Sequence, residues 1–77
     1  TEERRIQLVK QVKSEIEDAK ISIRNARKDA NNEIKKSESF SEDMKKNAEL
    51  DIQEITNNFI SKIDQVFEIK QKEIMTV

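Results

Sequence analysis

Glycine, proline, cysteine, histidine, tryptophan and tyrosine are all missing from this 77-residue chain. Each absence removes a class of structure or chemistry. Without Gly or Pro, tight turns that need positive or fixed φ are not available, and a β protein of this length would need several. Without Cys there is neither a disulfide framework nor a thiolate metal site. Without His the commonest general base and the commonest metal ligand are both gone. Gly-rich phosphate loops are excluded with glycine itself. The three Phe are the only aromatics, so a stacking platform for single-stranded nucleic acid is not indicated. No apolar run approaches the length of a membrane span, and no signal peptide is visible. Carboxylates are plentiful, but all read as helix-surface charge, and nothing resembles a calcium loop. No enzymatic activity, cofactor or metal is expected.

What the chain does contain is charge and regular spacing. Only 34% of residues are hydrophobic and 40% are charged, a balance that fits either long helices or disorder. The spacing favours helices. Thr1 followed by Glu2 and Glu3 is a start signal, a capping hydroxyl and then acids in the first turn. Apolar residues then recur at Val9, Val12, Ile16, Ala19, Ile23, Ala26 and Ala30, alternating steps of three and four, a heptad seam. The first helix is expected over about residues 2–36 and a loop over about 37–41, where Ser37, Ser39 and Ser41 break the pattern. Ser41 with Glu42 and Asp43 repeats the start signal, and a second helix is expected over about 42–75.

Two long helices joined by a short loop should lie antiparallel, giving an all-α hairpin. The second helix carries a wider apolar stripe than one neighbour can cover: Met44, Ala48, Ile52, Ile55, Phe59, Ile60, Ile63, Val66, Phe67 and Ile74. The doubled positions 59/60 and 66/67 point to two neighbouring helices. The hairpin is therefore expected to be part of a larger bundle, completed in this chain alone by self-association as a homo-oligomer.

Charge is unevenly divided. Residues 1–36 hold ten Lys/Arg against seven Asp/Glu, and residues 37–77 hold five against nine. On a helical wheel Lys10, Lys13, Lys20, Arg24, Arg27, Lys28 and Lys35 share one arc beside the apolar seam, interrupted in sign only by Glu17. Like charges at helical spacing repel by a few tenths of a kcal/mol per pair. A polyanion would offset that repulsion through counterion release, and with so few aromatics the contact would be to the backbone and shape of a structured nucleic acid. The competing reading is a solvated face with ordinary ion pairs, worth under about 1 kcal/mol each.

The segments "TEERR" at 1–5, "RNARKDAN" at 24–31, "SED" at 41–43 and "KQKEIM" at 70–75, in this order, resemble the C-terminal half of ribosome recycling factors. The first and third are ordinary helix starts; the RNxR(R/K)DAN pattern is the specific one. The resemblance implies a three-helix bundle of which this chain supplies the second and third helices. The first helix and an inserted β-rich domain would lie outside it. It implies a translation factor of the bacterial cytoplasm or an organelle that binds the ribosome after termination, through large-subunit RNA. With elongation factor G it would promote subunit dissociation, catalysing no covalent step itself. Carried over by position, it implies that Arg24 and Arg27 contact RNA. Lys28 comes next, and Lys20 and Lys13 are extensions suggested by the wheel. Lys28 stands where many relatives have a second Arg, which keeps the charge but not the bidentate geometry. The loop is about three residues shorter than the family's. The alternative is a coiled-coil oligomerisation module with no RNA role. Asn25, Asn31 and Asn32 receive no role from the sequence.

Overall fold

The computed structural model describes residues 1–76. It contains two helices, α1 (Glu2–Lys36) and α2 (Glu42–Met75), folded into a rod of 58 × 15 × 9 Å. Local chemistry explains three of the four helix ends. The Thr1 hydroxyl accepts from the Arg4 N–H at 3.3 Å, and Glu2 and Glu3 face the positive end of the α1 dipole. Lys35 and Lys36 occupy its last turn, and Ser37 leaves the helix in an extended conformation while its N–H still reaches the Ile34 carbonyl at 3.1 Å. The Ser41 hydroxyl then accepts from the Met44 N–H at 3.2 Å and starts α2, again with acids, Glu42 and Asp43, in the first turn. The reversal at 37–41 is made without a left-handed residue: among the described residues no φ is positive. That is how a chain without glycine makes the turn.

A cross-helix lock reinforces the turn. Lys45 of α2 donates from Nζ to the Lys35 carbonyl at 3.1 Å and lies 3.7 Å from Glu42. It satisfies one of the carbonyls that a helix C-terminus leaves without a partner, with a charge of favourable sign. Lys45 against Lys35, Gln53 against Arg27 and Asp64 against Lys20 pair rising numbers in α2 with falling numbers in α1. The helices are antiparallel.

The facing residues of α1 are Val9, Val12, Ile16, Lys20, Ile23, Arg27, Ala30, Asn31 and Ile34, all half-buried. This corrects the expected seam at two positions. Ala19 and Ala26 are exposed, and Lys20 and Arg27 take the places beside them. The packing line is turned toward the basic arc. Long cations can lay their methylene stems along a neighbouring helix and keep the charged end wet, and α2 offers each of them a polar partner.

On α2 the wide stripe divides into two. Ala48, Ile52, Ile60, Ile63, Phe67 and Ile74 are half-buried against α1. Met44, Ile55, Phe59, Val66 and Ile69 are exposed on the adjoining flank, Phe59 by 54%. The doubled positions separate as their spacing predicts: Ile60 and Phe67 turn in, Phe59 and Val66 turn out. Thr56, at 4%, is the one buried side chain among the described residues, and no apolar one is buried. Full burial of a Val, Ile or Phe side chain is worth roughly 1.5–3 kcal/mol, so two rods alone collect only part of what these residues can give. The uncovered part forms a groove of about 400 Å³ lined by Ile23, Ala26 and Ala30 of α1 and Ile52, Ile55 and Phe59 of α2.

Candidate nucleic-acid interface

The basic arc of α1 lies along the seam with α2, and the structure divides its residues by what they touch. Lys20 is drawn in. Its side chain is 14% exposed, it pairs with Asp64 across the hairpin, and it stands 3.8 Å from Glu17 on its own helix. Its charge is largely compensated. Of the five proposed RNA-contacting residues it is the least available.

Arg27 leans the same way but meets a neutral partner. Its Nη1 donates to Gln53 Oε1 at 3.5 Å. Gln53 in turn donates from Nε2 to Asn57 Oδ1 at 2.9 Å, one helical turn further on. The guanidinium is thus held at the hairpin surface by a group that does not cancel its charge. Arg24 and Lys28 are exposed. Lys13 is exposed and, with Lys10, borders a second groove near the helix ends opposite the turn, lined by Ile6, Val9, Phe67 and Met75. The structure therefore brings Arg24, Arg27 and Lys28 together within about one turn, and places Lys13 roughly 16 Å further along the axis.

Ion pairing is selective on both helices, and Lys46 and Lys62 of α2 lie in no ion pair within 4 Å among the described residues. Lys45, Lys70 and Lys72 of α2 each pair with an acid of their own helix at 3.4–3.7 Å. Among the described residues, no ion pair within 4 Å involves Arg24, Arg27, Lys28 or Lys13, whereas Lys20 has two. The reason is positional. The residues three or four away from Arg24 are Lys20, Ile21, Arg27 and Lys28, so its helical neighbours are cations or apolar. The cluster is a local concentration of like charge with no internal compensation.

Sequence reasoning missed Gln53 and Asn57. Both sit on α2, and a wheel of α1 carries no information about cross-helix register. The three asparagines near the cluster are also distinguished: Asn25 and Asn32 are exposed, while Asn31 is half-buried with its Oδ1 shielded from solvent and without a hydrogen-bond partner among the described residues. No group of three or more Asp or Glu that could hold a metal ion occurs among the described residues, and no helix there is long and apolar enough to cross a membrane.

Comparison with known proteins agrees with the motif resemblance. The ribosome recycling factor family profile matches residues 1–75. The chain belongs to the ribosome recycling factor family. It is 58% identical over 79 residues to the ribosome-recycling factor of Flavobacterium johnsoniae, a match covering the whole chain and 42% of that protein. The Parabacteroides distasonis factor is 55% identical over 80 residues, and that of Bdellovibrio bacteriovorus 52% over 80, each match covering the whole chain and 43% of the relative. The chain thus spans less than half the length of these recycling factors. No solved structure matches it.

Proposed function

We propose that this hairpin is the RNA-anchoring part of a ribosome recycling factor, a translation factor that binds the post-termination ribosome and promotes subunit dissociation together with elongation factor G. The observation that carries the RNA contact is the uncompensated cluster Arg24, Arg27 and Lys28, three arc cations within about one turn, next to Lys20, the arc cation that is paired. Phosphates supply the missing counter-charge, and Arg in particular offers them a planar bidentate fork. Arg24 and Arg27 carry most of the contact, Lys28 adds charge, Lys13 extends the track, and Lys20 serves chiefly to hold the hairpin. The site of action is the bacterial cytoplasm or an organelle. The hairpin carries no catalytic step.

The exposed stripe Met44, Ile55, Phe59, Val66 and Ile69 favours a second, compatible reading, that of a coiled-coil interaction module. In a complete recycling factor a further bundle helix would cover it. In this chain alone a second copy would. The two readings separate on charge: Arg24→Glu in a full-length factor carrying this hairpin is expected to weaken ribosome binding at least tenfold while leaving the fold intact. A module working through the apolar stripe alone would bind unchanged.

A further inference from the structure

The two arc cations that lean onto α2 are held in opposite ways. Lys20 meets a carboxylate, Asp64, and its charge is compensated. Arg27 meets the amide oxygen of Gln53, which engages one N–H of the guanidinium and leaves its full charge, with no ion pair within 4 Å among the described residues. The amide is itself oriented. Its Nε2 is committed to Asn57 Oδ1 at 2.9 Å, so Oε1 is the atom presented to Arg27. From this contrast we propose that Gln53, oriented by Asn57, is a positioning residue for Arg27: it holds the guanidinium for a phosphate of the ribosomal RNA without neutralising it. The inference rests on the RNA-anchoring reading above and adds a function for two α2 residues.

The physical need is clear from the neighbours. Arg24 and Lys28 lie three residues before and one after Arg27 on the same helix, and mutual repulsion would otherwise spread these long side chains over many rotamers. A contact that must be re-ordered on binding loses affinity, and a pre-ordered one does not. A carboxylate at position 53 would order Arg27 too, but would compete with the phosphate. A neutral acceptor avoids this.

The test is a double-mutant cycle in a full-length factor carrying this hairpin, with affinity for vacant bacterial ribosomes and thermal unfolding read together. Gln53→Ala is expected to weaken binding about three- to tenfold, the scale of one hydrogen bond, but less than about twofold when Arg27 is already Ala. Gln53→Glu is the sharper variant: it should raise the melting temperature and weaken binding, because the new carboxylate pairs with Arg27. Asn57→Asp adds the same charge one turn away while still accepting from Gln53, and should weaken binding less. The Nε–Hε order parameter of Arg27 in the free protein should fall in Gln53→Ala. Equal losses from Gln53→Ala with and without Arg27 overturn the positioning role while leaving the RNA reading standing. Binding that tracks stability across the Gln53 variants overturns it as well. Unchanged binding in both Arg24→Ala and Arg27→Ala removes the RNA reading, and this inference with it.

Discussion

Lys20 and Asp64 form the ion pair that ties the middle of α1 to α2, and it takes one cation out of the basic arc. Lys20 is largely shielded while Asp64 remains 55% exposed. The pair therefore sits in high effective dielectric, and its coupling is expected at about 0.5–1 kcal/mol. A cycle of Lys20→Ala and Asp64→Ala followed by urea unfolding checks this. Lys20→Ala alone is expected to lower stability yet change ribosome affinity less than about twofold, the opposite of Arg24→Ala. A large loss of affinity in Lys20→Ala at unchanged stability would return Lys20 to the RNA-contacting set.

Thr56 is the one buried side chain among the described residues. Its hydroxyl donates to the Ile52 carbonyl at 2.7 Å, within its own helix. Such back-bonding adds little, since that carbonyl also accepts its regular helical bond. Thr56→Val, which keeps the volume, is expected to stay within about 0.5 kcal/mol of the wild type. Thr56→Ala opens space and should cost about 1 kcal/mol. Chemical unfolding of the two variants distinguishes a volume requirement from a hydrogen-bond requirement.

The turn depends on two polar devices. Ser41→Ala removes the acceptor for the Met44 N–H and is expected to cost about 1 kcal/mol. Lys45→Met keeps the stem but removes the donor to the Lys35 carbonyl, and should cost about 0.5–1 kcal/mol. Amide hydrogen exchange should rise first around 34–45 in both variants. Uniform acceleration along both helices would mean that the turn is not a separate stabilising unit.

The ends of both helices were legible because capping is local chemistry: a hydroxyl followed by acids within three residues is complete in the sequence itself. The antiparallel arrangement followed from the short loop, and the split of the apolar stripe into an inward and an outward face from the doubled positions 59/60 and 66/67. What could not be read was the rotation of α1. The sequence presents Ala19 and Ala26 as seam residues because they are apolar, but Ala gains little from burial. Asp64 and Gln53 on the facing helix draw Lys20 and Arg27 inward instead. The same cross-helix register decides which arc cations stay uncompensated, so the basic arc was visible as a set while its division into a paired lysine and a free arginine cluster was not.

The exposed stripe on α2 makes a prediction about this chain alone. Phe59 and Ile55 should be covered by a second copy, and sedimentation should show a concentration-dependent dimer with four-helix character. Phe59→Lys together with Ile55→Lys should shift it to monomer and lower helicity, since isolated half-covered rods are marginal. A well-folded monomer at high concentration would contradict this expectation.

The central claim is that Arg24 and Arg27 meet RNA phosphates, and the salt dependence of ribosome binding tests it most directly. A full-length factor carrying this hairpin should bind with log K falling linearly as log salt rises, and Arg24→Ala with Arg27→Ala should make the slope shallower by about one to two. A double variant that binds with the same slope and the same affinity as the wild type would contradict the account.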